Sequence, residues 1–257
     1  MSPSTTLDSP GPAQASEVTT IPAVDGAAPL VVVDALSKSY RGRPALTNLS
    51  LTLPAGRIVG LMGANGCGKT TLLKILAGVL SDYEGRVTIA GHAPGPQSKA
   101  MVSFLPDAAF LASNLTPGRA IAQFSRLFAD FDADKATRLV DFFKLPQDRT
   151  LKEMSKGMGE KLRIALVMSR NARVYLLDEP ISGVDPAARD VILAGVLQDF
   201  DPEALMILST HLITDVEQIV DSVVFLKDGR LLLAGDADDL RQAHGTSLDA
   251  LFRKEYR

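Results

Sequence analysis

An α/β fold with a mostly parallel sheet covered on both faces is predicted by three features of the sequence. Short apolar runs alternate with segments of helical spacing between Arg57 and Leu208. The runs are strand-sized and largely apolar throughout, the pattern of strands buried on both faces. Near the end, Asp228-Gly229 stands between two further apolar runs, SVVFLK and RLLLAG, and marks a tight antiparallel hairpin.

In chain order, residues 1–29 (MSPSTTLDSPGPAQASEVTTIPAVDGAAP) are rich in Ser, Thr, Pro, Ala and Gly. Such a segment buries too little apolar surface to offset its ordering entropy, so it is expected to be a disordered tail. It has neither the basic start nor the apolar stretch of a secretion signal. The folded domain is expected over 30–257. Leu30–Val33 and Arg57–Met62 read as strands, and the second leads into a glycine-rich stretch. Lys69–Val79 has helical spacing, with Leu72, Leu73, Leu76 and Val79 on one side. Gly85–Ala90 and Val102–Leu105 read as strands. Two helices follow, one opened by Thr116-Pro117 and one near Asp132 or Asp134. They form an all-helical insertion, bounded at about 108–158. A helix at about Gly159–Ser169, a strand at Val174–Leu177, a helix at about Pro186–Gln198 and a strand at Leu205–Leu208 complete the alternation before the hairpin.

Composition narrows the function. With 257 residues, 46% of them apolar, the chain can bury a sizeable core. A net charge of −3 argues against a generally nucleic-acid-binding surface, a local patch aside, and no nucleic acid partner is expected. The single cysteine, Cys67, excludes a disulfide framework. No apolar run approaches the roughly 18 residues of a membrane-spanning helix.

The strongest local signal is GANGCGKTT, residues 63–71. Gly63-x-x-x-x-Gly68-Lys69-Thr70 fits the phosphate-binding loop pattern and lies between a strand and a helix, as that reading requires. Glycine lets the backbone turn tightly and approach a polyphosphate. The N–H groups of Ala64, Asn65, Gly66, Cys67, Gly68 and Thr71 and the helix N-terminus offer it partial positive charge. Lys69 is expected on the β- and γ-phosphates, and the Thr70 hydroxyl on Mg²⁺. The bland alternative is a glycine-rich turn that carries a lysine. For Cys67 two readings stand: a thiol turned reactive by a helix N-terminus, or a small residue in a variable slot.

A second half-site follows. Val174–Leu177 is apolar and ends in Asp178-Glu179. Taken alone, two acids after a strand fit a helix-capping turn. Beside a phosphate loop, Asp178 suits the magnesium shell and Glu179 suits a base that polarises a water for attack on the γ-phosphate.

With these motifs the sequence resembles the ATP-binding cassette (ABC) ATPases over about residues 30–240. Met154-Ser155-Lys156-Gly157-Met158 resembles the family's signature loop, Ser182-Gly183-Val184-Asp185 the loop after the catalytic glutamate, and Ser209-Thr210-His211 the switch histidine. The nearest group is the single-cassette bacterial exporter ATPases, ytr-type and ABC-2-like. The resemblance implies a P-loop NTPase core, an antiparallel β subdomain and the inserted α-helical subdomain. It assigns Tyr40 to adenine stacking, Ser155 and Gly157 to the nucleotide of a partner cassette, and His211 to the γ-phosphate. It further implies ATP and Mg²⁺, a second cassette, a separate integral-membrane permease subunit, and a place on the cytoplasmic face of the cell membrane.

Two positions depart from the family pattern. Lys156-Gly157-Met158 replaces the usual Gly-Gly-Gln, and Lys156 either adds a charge contact or points to water. Asp107 stands where a magnesium-contacting glutamine is usual, and it either coordinates the metal or points away. Phe104, Phe110 and Leu111 beside it are either core or part of a docking groove. His92 and His244 read as surface residues. Two alternatives to a transporter remain: a soluble cassette ATPase of iron–sulfur assembly, and a non-enzymatic regulatory module, against which intact Lys69, Asp178, Glu179 and His211 speak.

Overall fold

The computed structural model describes residues 19–21 and 29–256. The strands are β1 (Thr19–Thr20), β2 (Pro29–Tyr40), β3 (Arg43–Pro54), β4 (Arg57–Met62), β5 (Glu84–Ile89), β6 (Val102–Leu105), β7 (Val174–Asp178), β8 (Leu205–Thr210), β9 (Ser222–Lys227) and β10 (Arg230–Asp236). The helices are α1 (Lys69–Leu76), α2 (Pro96–Ala100), α3 (Pro117–Leu127), α4 (Ala133–Phe142), α5 (Lys156–Met168), α6 (Pro186–Gln198), α7 (Ile213–Val216), α8 (Ala237–His244) and α9 (Leu248–Glu255).

Among the described residues the strands form two sheets, ordered β1-β3-β2-β5 and β10-β9-β4-β8-β7-β6. In the larger sheet every pairing is parallel except the β9–β10 hairpin. That is the predicted mixed arrangement. Period-2 alternation explains why its strands are apolar throughout. Ile58, Met62, Tyr175, Leu177, Met206 and Leu208 enter one core, shared with α5, α6 and the inserted helices α3 and α4. Val59, Leu61, Leu176, Ile207 and Val224 enter the other, shared with α1 and the smaller sheet.

Local chemistry sets the helix ends. The Asp132 carboxylate accepts from Lys135 N–H at 2.8 Å and caps α4. Ser155 caps α5 in the same way, so this helix starts three residues before the predicted Gly159. Helix α1 stops at Leu76, because Ala77 and Gly78, with φ of +65°, turn the chain away.

The smaller sheet is where the structure differs most from the sequence reading. Strand β2 runs well past Val33 to Tyr40, and β3 has no counterpart in that reading. Left-handed φ values at Ala35 (49°) and Asn48 (50°) accompany shifts of register, so apolar alternation slips along both strands and hides them. Of the expected tail, residues 1–18 and 22–28 lie outside the described residues. Thr19 and Thr20 pair in parallel with Leu51 and Thr52, and Ile21 is buried.

The β9–β10 turn does more than reverse the chain. Asp228 (φ 49°) and Gly229 (φ 74°) both occupy the left-handed region that a two-residue hairpin turn demands. Gly229 N–H donates to Cys67 O at 3.0 Å, and Gly229 O accepts from Thr47 N–H at 2.8 Å. A Cβ on Gly229 would lie 2.7 Å from Ala45 O. Gly229→Ala is therefore expected to cost about 2 kcal/mol or more and to lower the midpoint of thermal unfolding by roughly 4–8 °C. Gly91→Ala, at a φ of 80° with open space around it, should cost only the backbone strain of about 1 kcal/mol. Equal midpoints for the two variants would refute the brace.

Candidate functional site

Where β4 runs out at Met62 the chain enters the glycine-rich loop. Gly68 has a φ of 111°, and a Cβ there would fall 2.6 Å from Ala45 O. Only glycine lets the loop sit against β3 and then start α1 at Lys69. The Lys69 ammonium is buried. It donates to Gly63 O at 2.8 Å and Ala64 O at 3.3 Å, and lies 3.3 Å from Glu179 Oε1.

Strands β7 and β8 end beside this loop, with Asp178 paired in register with Ser209. Asp178 Oδ1 accepts from Thr70 Oγ1 at 3.1 Å and from Ser209 Oγ at 2.7 Å. Its Oδ2 is buried and has no hydrogen-bond partner among the described residues. A buried, unsatisfied carboxylate oxygen is costly in a protein interior. Glu179 follows with a left-handed φ of 50°. Its N–H meets Ser209 O (3.2 Å) and Ser209 Oγ (3.0 Å), while its carboxylate Oε2 lies 2.9 Å from His211 Nδ1. One glutamate thus joins Lys69 to His211 at the edge of solvent, and a bulky residue is held in an uncommon backbone conformation to do so.

These groups open onto a cavity of about 450 Å³. Tyr40 and Ala45 line one wall, and Asn65, Gly66, Gly68, Lys69, Thr70 and Thr71 form the base. Asp107, Glu179, Ser182 and His211 complete it. The β2–β3 hairpin carries Tyr40 there, and the residue is 45% exposed. Asp107 is exposed, and its carbonyl accepts from Arg163 Nη1 at 3.4 Å.

Not every expected residue reaches the cavity. Gly63 and Ala64 have their carbonyls turned to Lys69. Asp178 lies buried behind Thr70. Ser155, at the exposed start of α5, accepts from Met158 N–H, and neither it nor Gly157 lines the cavity. The Cys67 thiol is buried in the core beneath the loop, so the structure matches the reading of a small packed residue and not that of an exposed reactive thiol. The sequence shows Ser209 only as part of a motif and gives no local sign of Ala45; both act through contacts between distant segments. His92 and His244 are exposed, as expected. Phe104 and Leu111 are partly buried against the cores, while Phe110 is 38% exposed.

A strand–loop–helix phosphate cradle, with acids at the ends of neighbouring parallel strands, defines a nucleotide-hydrolysing P-loop protein. The sequence profile of the ABC transporter family matches residues 46–182, and the chain belongs to that family as a transporter ATPase. It is similar to the ABC transporter ATP-binding protein YtrB of Bacillus subtilis (strain 168), 27% identical over 81% of this chain and 73% of the relative. It is also similar to the daunorubicin resistance ATP-binding protein DrrA3 of Streptomyces coeruleorubidus, 28% identical over 87% of this chain and 74% of the relative. A solved structure of the ATP-binding subunit of an ABC transporter superposes with a TM-score of 0.77 and 27% identity, covering 89% of this chain and all of that one. The predicted family and fold class both hold. Among the described residues no helix is long and apolar enough to cross a membrane.

The Ser209 hydroxyl bridges Asp178 and the Glu179 amide. Ser209→Ala is expected to destabilise the fold by about 1–3 kcal/mol, because it strips Asp178 Oδ1 of its shorter hydrogen bond in a buried setting. Denaturant unfolding measures this. A midpoint unchanged from wild type would mean that the bridge carries no net stability.

Proposed function

We propose that this chain is the ATP-binding and ATP-hydrolysing subunit of an exporter, working as a pair of cassettes against a separate integral-membrane permease on the cytoplasmic face of the cell membrane. The observation that carries the hydrolytic part is the Glu179 carboxylate, held 3.3 Å from Lys69 and 2.9 Å from His211 at the mouth of the phosphate cradle. Export is supported by the relative whose name ties it to drug resistance. A separate permease is supported by the relatives being ATP-binding proteins and by the lack of a spanning helix among the described residues.

In this reading ATP lies in the 450 Å³ cavity with adenine on Tyr40 and its phosphates over the amides of Asn65, Gly66, Gly68, Lys69, Thr70 and Thr71. The polyphosphate draws the Lys69 ammonium from the Gly63 and Ala64 carbonyls and from Glu179. Glu179, relieved of that pair, accepts a hydrogen bond from a water and orients it toward the γ-phosphorus. His211 stabilises the charge that develops on the phosphoryl oxygens. Exposed Ser155 and half-buried Gly157, outside their own cavity at the start of α5, close the site of a second cassette with their N–H groups and helix dipole. Hydrolysis then loosens the pair.

The residues also fit a magnesium ion. The orphaned buried Asp178 Oδ2 and the Thr70 hydroxyl are hard oxygen donors. No cluster of three or more acidic, His or Cys side chains crowds the site among the described residues, which suits an ion that keeps most of its shell for phosphate and water. Thr70, Asp178 and Asp107 would hold it, and when bound it would neutralise charge on the β- and γ-phosphates.

Glu179→Gln is expected to bind ATP as wild type does, to lower turnover by at least a hundredfold, and to accumulate as an ATP-bound dimer on gel filtration. A variant that stays monomeric with ATP and hydrolyses it at the wild-type rate would remove Glu179 from the mechanism. Asp107→Ala should raise the Mg²⁺ concentration needed for half-maximal hydrolysis while sparing nucleotide affinity. An unchanged Mg²⁺ titration would place Asp107 outside the metal shell.

A further inference from the structure

We infer that Tyr256, near the end of the chain, is a positioning residue for the phosphate-binding loop: its hydroxyl holds the Ala64 amide from beneath and so keeps the remaining loop amides facing the nucleotide. The inference rests on the proposed role of the loop in ATP binding, but its geometry does not. Ala64 N–H donates to Tyr256 Oη at 3.1 Å, and the same hydroxyl donates to Leu226 O at the end of β9. A phenol has one proton to give and lone pairs to accept with, so one oxygen serves both partners at once. Burial is the chief cause that pushes the Tyr256 hydroxyl up from its ordinary range, which keeps that proton in place.

The loop is closely packed at Gly63. A Cβ on Gly63 would strike Cys67 Sγ, Leu226 O and Tyr256 Oη together. The floor beneath Gly63 and Ala64 is therefore the thiol, the strand carbonyl and the phenol, and the phenol is the one that receives the Ala64 amide. Of the loop's N–H groups, Cys67 N–H is also taken, by Ala64 O at 3.2 Å. Fixing Ala64 thus fixes an internal turn of the loop as well.

Helix α9 is built to bring Tyr256 to this place. Ser247 caps it and accepts from Ala250 N–H, and Leu248 N–H donates to Glu217 Oε1 at 2.9 Å. Leu248 and Leu251 are fully buried. Phe252 packs edge-on to Phe225 of β9 with ring centres 5.3 Å apart, and Tyr256, one turn on, stacks on Phe252 at 4.1 Å. The Lys227 ammonium lies 5.4 Å over the tyrosine ring and 3.3 Å from Glu255 O. The ring is held by packing and the hydroxyl by hydrogen bonds, so the two contributions can be separated by substitution.

Tyr256→Phe keeps the ring and deletes the hydroxyl; Tyr256→Ala deletes both. The Phe variant should keep the wild-type unfolding midpoint within about 2 °C and raise KM for ATP about five- to tenfold, the scale of one hydrogen bond, with kcat within about twofold. In the same variant, hydrogen–deuterium exchange of the peptide spanning residues 63–68, measured without nucleotide, should quicken at least threefold. The Ala variant should add rapid alkylation of Cys67 by N-ethylmaleimide, which the buried thiol of the wild type is expected to resist. Unchanged KM and unchanged exchange in Tyr256→Phe overturn the inference. So does a lowered midpoint with loop exchange and KM both at wild-type values, which marks a purely structural tyrosine. If exchange quickens in the Phe variant but the wild type itself binds no ATP, it is the proposed function that fails and the positioning of the loop that stands.

Discussion

In the parallel register of β4, β7 and β8, Met62 lies opposite Thr210 and Asp178 opposite Ser209. These strands are packed on both faces, so a polar side chain has nowhere to go until a strand ends. The sheet therefore delivers its hydroxyls and carboxylates together at one edge, where α1 also begins. Once there, they must satisfy one another. Asp178 shares one oxygen between Thr70 and Ser209, and buried Lys69 is placed between two loop carbonyls and Glu179. Removing either member of such a pair leaves an uncompensated charge, at a cost of about 3–5 kcal/mol when fully buried. The lysine and the glutamate are tied to the same geometry for stability.

The loop is also held from outside the sheet edge. Gly229 reaches Cys67 O from the β9–β10 turn, Ala45 O closes on Gly68 from β3, and Tyr256 reaches Ala64 N–H from α9. Three segments far apart in the chain thus contact Ala64, Cys67 and Gly68 of one short loop. A backbone rich in glycine has the most conformational entropy to lose on ordering. These contacts offset that loss before any ligand arrives, so that binding does not have to.

How much of this was legible in the sequence follows from how local each signal is. The phosphate loop, the Asp178-Glu179 strand end and the cap near Asp132 depend on neighbours within a few residues, and each was readable from spacing. Helix α6, bounded by Pro186 and Gln198, was readable for the same reason. The cap at Ser155 was not readable, and α5 begins three residues before the predicted Gly159. Strand β3 was not, because the displacement at Asn48 breaks its alternation between Leu46 and Leu49. The pairing of Thr19 and Thr20 with β3 depends on an edge supplied by residues some thirty positions later, and nothing in their own composition announces it. Cys67 shows the limit inside a motif: spacing placed it in the loop, but only the packing of Tyr256 and Leu226 decides that its thiol faces the core.

The two departures from the family pattern meet on α5. Lys156 stands at its start, with its ammonium lying against Gly183 in the loop that follows Glu179. Arg163, two turns on, pairs with Glu160 and reaches the Asp107 carbonyl. Glu160 is buried, and that burial pushes its carboxyl up against the pull of Arg163 beside it. Lys156 and Asp107 act on the same carboxyl with opposite signs, the lysine favouring its charged form and the aspartate opposing it. Four charges, Lys156, Glu160, Arg163 and Asp107, therefore sum to zero around one buried acid. The usual glycine and glutamine would leave the Glu160–Arg163 pair just as neutral, whereas either departure alone would leave a net charge beside it. Lys156 and Asp107 thus bear with opposite signs on one buried carboxyl, and α5 carries that carboxyl.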